Sequence, residues 1–273
     1  MINFKNTLLL GHRGARGEAL ENTLAGFKLA QNLQSAGLIG VEFDVQLSAD
    51  GHLLVFHDDN LQRLCAQQSC IDQLSLAEIG RYLQSGHQIT PLAEIASVLT
   101  GFGYIELEIK THERTDYSKL IRALMHDLID SPLASLPIAL TSFDVELHAR
   151  LQRNKTLQHI PRGLLIRTPK TLLSAPQTAL QLGCVQLGIH YPLLTQAVIK
   201  HCHRYHLPVS AWTVNDSETI KQLITWQVDV IITDYPTYFL TRLVRELLTY
   251  LFVIFQKTCL KMALKSQLIN WLD

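Results

Sequence analysis

Short apolar runs alternate with amphipathic stretches along most of this chain, and this alternation limits the folds that the chain can adopt. Nine runs have the length and composition of β-strands, and they cover residues 8–11, 40–47, 53–57, 104–110, 138–142, 163–166, 184–188, 209–214 and 230–233. Stretches with helical periodicity separate most of them. Such alternation predicts a parallel sheet with helices outside it. The 273 residues suit one α/β domain of the (β/α)8 barrel type, which typically needs about 250 residues.

A turn signal reduces the nine predicted strands to the eight that a barrel wall requires. The Asp-Gly pair at 50–51 is typical of two-residue β-hairpin turns, so the second and third runs are predicted to pair as antiparallel strands. Counted outwards from this turn, Asp44 lies opposite His57. Glu42 shares the face of Asp44, because side chains two residues apart along a strand point to the same side. We therefore expect these three side chains to project into one site.

Charged and imidazole side chains are concentrated near the ends of the predicted strands. Glu106, Glu108 and Lys110 alternate along one strand, and buried charges on a barrel strand need an ionic partner or a metal ion. His12 and Arg13 follow the first strand directly. In a (β/α)8 barrel, functional side chains gather at the carboxyl ends of the strands. We therefore expect the active site at this end, with the three alternating residues facing charged groups.

The carboxylates in this set predict a metal site. Glu42, Asp44 and Glu108 offer oxygen ligands, which suit one Mg²⁺ or Ca²⁺ ion, whereas zinc favours sulfur or imidazole ligands. A divalent cation can act as a Lewis acid on a phosphoryl oxygen and lower the pKa of a bound hydroxyl group. The structural alternative is an ion network in which these carboxylates pair with Lys110 and Arg13.

Cationic, imidazole and aromatic groups supply the rest of the chemistry that phosphodiester cleavage requires. Arg13 offers a forked donor for phosphate oxygens, and Lys110 adds a point charge. His12 and His57 are the candidate base and acid, because imidazole titrates near neutral pH. Trp212 either contacts the substrate or belongs to the core.

In their order along the chain, these motifs resemble those of the glycerophosphodiester phosphodiesterase family. The matching segments are His12-Arg13-Gly14, Glu21-Asn22-Thr23, Glu42-Phe43-Asp44, His57-Asp58 and Glu108-Ile109-Lys110, followed by 211–215 and 231–234. The match extends over residues 8 to 236. It implies a TIM-barrel hydrolase that cleaves deacylated phospholipids, such as glycerophosphocholine or glycerophosphoethanolamine, to an alcohol and sn-glycerol 3-phosphate.

The resemblance also implies roles for the matching residues. These are the metal ligands Glu42, Asp44 and Glu108, the general acid and base His12 and His57, and the phosphate-binding residues Arg13 and Lys110. The same site serves direct attack by water or attack by a glycerol hydroxyl that gives a cyclic phosphate. Leu20 stands where the family usually has proline, and the segment between His57 and Pro91 is short. We therefore expect an open mouth that tolerates different leaving alcohols.

Two other functions agree with parts of this pattern. A related metal-dependent phosphodiesterase that cleaves intact lipid, such as a lysophospholipase D or a phospholipase C, would use the same histidines and carboxylates. A non-catalytic binder of phosphate ligands on the same barrel is the second alternative. The pair His12 and His57 argues against the binder, because binding alone needs no acid and base.

Composition limits the binding partners and the cellular compartment that we expect for this protein. The formal net charge is zero and 47% of the residues are hydrophobic, so the chain lacks the basic surface that nucleic-acid binding requires. A small-molecule substrate is the expected partner. Five cysteines without a dense framework favour a reducing compartment, and the apolar run at 7–10 is too short for a signal peptide. We expect a cytoplasmic protein.

The last part of the chain is predicted to be helical. We divide the chain into a barrel domain over residues 1–238 and a C-terminal amphipathic helical extension over 239–273, because apolar residues recur at helical spacing from 240 to 255. The apolar run 247–255 is shorter than the ~20 residues that span a bilayer. The extension could form a homodimer contact, lie on an anionic membrane surface or pack on its own barrel.

Overall fold

Eight parallel strands close into a barrel in this computed structural model, which describes residues 6–83 and 88–241. The strands of the described residues are β1 (Leu8–His12), β2 (Gly40–Leu47), β3 (Leu53–Val55), β4 (Thr90–Pro91), β5 (Tyr104–Ile109), β6 (Ile138–Ser142), β7 (Arg162–Ile166), β8 (Gln186–His190), β9 (Val209–Trp212) and β10 (Val230–Thr233). Around the barrel the order is β1, β2, β5, β6, β7, β8, β9 and β10, and β10 pairs with β1. The predicted (β/α)8 barrel is confirmed.

Helices form the outer layer of the barrel. The α-helices with both ends inside the described residues are α1 (Leu24–Asn32), α2 (Gln62–Cys65), α3 (Leu76–Tyr82), α4 (Tyr117–Ile129), α5 (Val145–Arg153), α6 (Pro169–Leu172), α7 (Ala175–Gln181), α8 (Gln196–His203) and α9 (Ser217–Thr225). Local sequence determines where several of them begin. For example, the side chains of Thr23, Asp116 and Asp144 accept hydrogen bonds from backbone N–H groups in the first turns of α1, α4 and α5.

The β2–β3 hairpin forms as predicted, but its register differs by one residue. Val45 pairs with Val55, so Asp44 lies opposite Phe56 and not opposite His57. The predicted two-residue turn is wrong, because the loop contains three residues, 49–51. Its last residue, Gly51, has a φ of 93°, and its N–H donates to the Ser48 carbonyl at 3.1 Å. The Ser48 N–H then donates to the His52 carbonyl at 2.9 Å, which sets the register of the hairpin.

The main core lies between the barrel wall and the helices. Phe43 and Val45 point into it from β2, and alternation along the strand turns Glu42 and Asp44 towards the barrel interior. No helix among the described residues is long and apolar enough to cross a membrane.

The C-terminal end of the described chain packs on the barrel. A helical segment covers 236–241, and its residues Phe239 and Leu240 are buried in the main core. From residue 242 onwards the predicted helical extension lies outside the described residues. Its contact with a second subunit or a membrane stays a prediction.

Candidate active site

Three buried carboxylates meet where β2 and β5 approach their carboxyl ends. Asp44 pairs with Glu108 across these parallel strands, and Glu42 lies two residues earlier on the same face. One oxygen from each of the three side chains lies within 4.8 Å of the other two. Glu42 Oε2 is buried and has no hydrogen-bond partner within the described part of the chain. This set fits a hard divalent cation, because its ligand atoms are all carboxylate oxygens and one of them is unpaired.

Two cationic side chains contact the carboxylates. Lys110 Nζ lies 2.9 Å from Asp44 Oδ1 and 2.5 Å from Glu108 Oε1, and Arg13 Nε lies 3.1 Å from Asp44 Oδ2. Burial acts to raise the pKa of Asp44, but the ammonium and guanidinium charges outweigh it and lower the pKa. For Glu42, burial and the neighbouring Asp44 and Glu108 charges raise the pKa. The structural ion network therefore exists, but it leaves Glu42 without a paired Lys or Arg among the described residues.

The loop between β1 and α1 directs two side chains onto Asp44. Arg13 and Asn22 both have positive φ values, 47° and 55°, which few non-glycine residues adopt. The Asn22 N–H donates to the Arg13 carbonyl, and the Asn22 side-chain amide donates to Asp44 Oδ2, both at 3.1 Å. Surrounding contacts must hold such a backbone in place. A Cβ at Gly14 would lie 2.8 Å from the carbonyl carbon of Gly26, so this loop requires glycine to pack against α1.

His12 lies between the carboxylates and the last strand of the barrel. Its Nδ1 is 2.6 Å from Asp234 Oδ1, and its Nε2 is 3.6 Å from Glu42 Oε2. Asn215 Nδ2 donates to the other oxygen of Asp234 at 2.7 Å, and Asn215 Oδ1 accepts the Asp234 N–H. Burial lowers the pKa of His12, while the hydrogen bond to Asp234 acts in the opposite direction. The imidazole is therefore held in one orientation, with Nε2 facing the carboxylate cluster.

His57 lies just beyond the end of β3, at the rim of the site. Its side chain is 35% exposed, compared with 10% for His12, and its Nδ1 lies 2.7 Å from Asp58 Oδ1. Partial burial lowers the pKa of His57, and the Asp44 charge acts to raise it. His57 and Asp44 thus interact electrostatically, although the hairpin register differs from the predicted one. His57 is the more exposed of the two imidazoles and the better placed to meet a departing group.

Trp212 lines the same site from the end of β9. It shares with His12, Glu42 and Glu108 a cavity of about 30 Å³, which is large enough to hold a water molecule. Trp212 Nε1 is buried and has no hydrogen-bond partner among the described residues. An unpaired buried donor at the wall of a polar cavity favours contact with a ligand over a purely structural role.

One prediction about the alternating charges of β5 is wrong. Glu106 does not face a charged group within the described chain. It lies deeper in the barrel, fully buried, and accepts hydrogen bonds from Ser210, from Gln186 at 3.2 Å and from Tyr104 at 3.3 Å. Burial raises the pKa of Glu106 to about 7. Neutral hydrogen-bond donors, and not cations, accommodate this carboxyl group.

The side chains predicted for the site are found at one end of the barrel. They are His12, Arg13, Glu42, Asp44, His57, Glu108, Lys110 and Trp212. The sequence interpretation gave no role to their partners Asp234, Glu21, Asn22 and Arg63. The first three belong to the matched motifs, which was the available signal, whereas no motif pointed to Arg63.

The closed barrel, the buried carboxylates and the two flanking imidazoles define a barrel enzyme with a site suited to phosphate esters. Comparisons with known proteins narrow this class. The profile of the Glycerophosphoryl diester phosphodiesterase family matches residues 12–238. This chain belongs to that family.

Individual relatives agree with the family assignment. A glycerophosphodiester phosphodiesterase of Caldanaerobacter subterraneus subsp. tengcongensis is 29% identical over 244 residues, covering 84% of this chain and 95% of the relative. A phosphodiesterase structure from Oleispira antarctica, in complex with the product sn-glycerol-3-phosphate, has a TM-score of 0.73 at 28% identity and covers 84% of this chain and 93% of that one. A Thermotoga maritima glycerophosphodiester phosphodiesterase has a TM-score of 0.69 at 25% identity, covering 86% and 97%. The predicted family and enzyme class are confirmed.

Proposed function

We propose that this enzyme hydrolyses glycerophosphodiesters, such as glycerophosphocholine or glycerophosphoethanolamine, to an alcohol and sn-glycerol 3-phosphate, with one divalent cation at the carboxylate cluster. The observation that carries the proposal is the unpaired, buried Oε2 of Glu42 beside Asp44 and Glu108. Three carboxylates with an unpaired oxygen are costly to bury unless a cation joins them. Membership of the family and the product complex of the Oleispira antarctica relative support the substrate class.

The metal ligands in this proposal are Glu42, Asp44 and Glu108. Their oxygen atoms suit Mg²⁺ or Ca²⁺, which both prefer carboxylate ligands. A bound divalent cation would polarise a phosphoryl oxygen as a Lewis acid. Lys110 and Arg13 flank the cluster, and their charges attract and orient the phosphate. The Nε1–H of Trp212, which has no partner in the described part of the chain, offers the substrate a further donor on the opposite wall.

The two histidines divide the proton transfers in this proposal. His12 Nδ1–H donates to Asp234, which leaves the Nε2 lone pair facing the cluster, where it accepts the proton of the attacking hydroxyl. That hydroxyl belongs to water or to the glycerol moiety. The more exposed His57 donates its Nε2 proton to the oxygen of the leaving alcohol. Solvent access at the rim allows the alcohol to depart and His57 to regain its proton.

A second candidate function is cleavage of a lipid that retains an acyl chain. A mainly apolar cavity of about 230 Å³ opens beside the site, and it shares Leu165 with the cavity at His12 and Glu42. Phe143 and Leu164 line this second cavity. Such a cavity can take an apolar substituent of the substrate. The observation favours a lysophospholipase D or phospholipase C type of activity as the alternative.

The test is release of glycerol 3-phosphate from glycerophosphocholine by the purified protein. The assay is run with a chelator and then with Mg²⁺ or Ca²⁺ restored in turn, and lysophosphatidylcholine is the comparison substrate. We expect release that the chelator stops and one ion restores. Turnover of the lysolipid alone would favour the second candidate. Binding of glycerophosphocholine without turnover of either substrate would favour a non-catalytic phosphate binder.

A further inference from the structure

Arg63 joins two loops of the active site through side-chain ion pairs. Its Nε lies 2.6 Å from Asp58 Oδ2, and its Nη2 contacts Glu21 Oε1. Asp58 in turn holds His57 through its other oxygen, at 2.7 Å. Both oxygens of Asp58 are therefore engaged, one by the imidazole and one by the guanidinium. A carboxylate held in this way has little freedom to rotate away from the imidazole.

Glu21 anchors the other side of Arg63. This glutamate is buried, and it also accepts Arg16 Nε at 2.7 Å and Arg13 Nη1 at 3.2 Å. These guanidinium charges lower the pKa of Glu21, although burial acts to raise it. Glu21 is thus an ionised, fixed acceptor in the β1–α1 loop. Arg63 connects that loop, which carries Arg13, to the loop that carries His57.

The position of His57 makes this connection important. Strand β3 ends at Val55, so the ladder of backbone hydrogen bonds does not extend to His57. The Gln46 amide fixes the backbone on both sides of it by donating to the Phe56 carbonyl at 3.3 Å and to the Asp58 carbonyl at 2.5 Å. The contact with Asp58 therefore orients the imidazole ring, and the contact with Arg63 orients the Asp58 carboxylate.

We propose that Arg63 is a positioning residue for the reaction, which holds Asp58 and thereby directs His57 Nε2–H at the oxygen of the leaving alcohol. The inference rests on the proposed function. As the nucleophile forms its bond to phosphorus, its proton passes to His12. The bond between phosphorus and the leaving oxygen breaks, and that oxygen takes the proton of His57. Misdirecting His57 therefore impairs the reaction in proportion to how much the leaving group needs a proton.

The test compares two substrates that differ only in the leaving group. Glycerophosphocholine releases an alkoxide that must be protonated, whereas the 4-nitrophenyl ester of glycerol 3-phosphate releases a phenolate that is stable without a proton. For Arg63→Met we expect kcat with glycerophosphocholine to fall about tenfold to hundredfold, which is part of the roughly hundredfold to ten-thousandfold that general acid catalysis supplies. With the nitrophenyl ester we expect less than about a threefold change. KM should stay within about twofold for both substrates, because Arg63 is not among the residues that we assign to phosphate binding.

Arg114→Met is the matched control. Arg114 makes the same kind of contacts in the same region, with Nη2 2.6 Å from Asp59 and Nε 3.0 Å from Asp72, and its side chain is 38% exposed against 47% for Arg63. It does not contact Asp58 within the described structure. We expect this variant to keep the kcat of the wild type for both substrates. Thermal unfolding of the two variants compares their stabilities.

A conservative variant distinguishes loss of positioning from loss of folding. Arg63→Lys keeps the charge but lacks the forked donor that engages Asp58 and Glu21 together. It should show an intermediate loss with glycerophosphocholine only. Equal losses with both substrates, or no loss in Arg63→Met, would overturn the role of Arg63. Failure of the wild type on both substrates would instead refute the proposed function.

Discussion

Replacing Asp234 with asparagine should disable His12 without disturbing the fold. In the wild type, Asn215 Nδ2 donates to one oxygen of Asp234 and His12 Nδ1 lies against the other, 2.6 Å away. In Asp234→Asn, Asn215 remains a donor, so the new amide turns its oxygen to Asn215 and its NH₂ group to His12 Nδ1. The Nδ1 atom must then accept, and the proton of neutral His12 moves to Nε2. The lone pair that faces Glu42 is lost.

The size of the effect follows from the bond that is removed. The His12 and Asp234 side chains are only 10% and 16% exposed, so solvent screens their interaction weakly. A hydrogen bond to a charged group contributes about 1.5–3 kcal/mol. If the bond is needed in the transition state, kcat/KM should fall about tenfold to about 150-fold. KM should change little, because Asp234 is not among the groups that we assign to phosphate binding.

Initial rates of glycerol 3-phosphate release, together with the ¹⁵N NMR shifts of the His12 imidazole, measure both parts of this prediction. Asp229→Asn is the matched control, because Asp229 Oδ2 lies 2.7 Å from His203 Nε2 in an aspartate–histidine pair between α8 and the start of β10. The control should keep full activity. A kcat within twofold of the wild type in Asp234→Asn, or a His12 still protonated at Nδ1, would show that Asp234 does not fix the tautomer.

Four further outcomes are expected. Glu42→Gln should abolish the chelator-sensitive activity and the heat of Mg²⁺ or Ca²⁺ binding in calorimetry; retained binding would refute the metal site. In the presence of chelator, the same substitution should raise Tm at neutral pH. The pKa of Glu42 is raised in the native state, so the stabilising contribution of this residue is present at low pH and is lost as pH rises through that pKa. His57→Ala should lower kcat about hundredfold or more with unchanged Tm, and unchanged kinetics would exclude it as the acid. Trp212→Phe removes the Nε1–H that has no partner among the described residues and should raise KM about twofold to tenfold; an unchanged KM would assign Trp212 to the core.

Periodicity and one turn signal were enough to predict the barrel but not the details of its hairpin. The alternation of apolar and amphipathic stretches determines the βα order, and the Asp-Gly pair identified the strand that does not belong to the wall. The same pair is compatible with a two-residue or a three-residue loop. Gly51 adopts a left-handed conformation, and Ser48 Oγ accepts the His52 N–H at 2.9 Å; these local contacts selected the longer loop. The longer loop shifts the pairing of β2 with β3 by one residue from the predicted register.

The site was predictable where its residues lie near strand ends and not where it depends on barrel closure. Alternation along β2 placed Glu42 and Asp44 on one face, and the gathering of functional side chains at the carboxyl ends of barrel strands added Glu108 from the adjacent parallel strand β5. The contact between His12 and Asp234 joins residues 222 positions apart, and it forms because β10 pairs with β1. Alternation also could not tell how deep in the barrel a residue lies. Glu106 has the periodicity of a site residue but lies below the carboxylate cluster.

The balance of charge at the carboxylate cluster explains how the site can attract an anionic substrate. Glu42, Asp44 and Glu108 face two cationic side chains, Lys110 and Arg13, which leaves one negative charge uncompensated. Burial and the neighbouring Asp44 and Glu108 charges raise the pKa of Glu42. With the proposed divalent cation, the same set carries one net positive charge. A phosphodiester, with a single negative charge, neutralises this net charge, so electrostatics favours binding of the substrate.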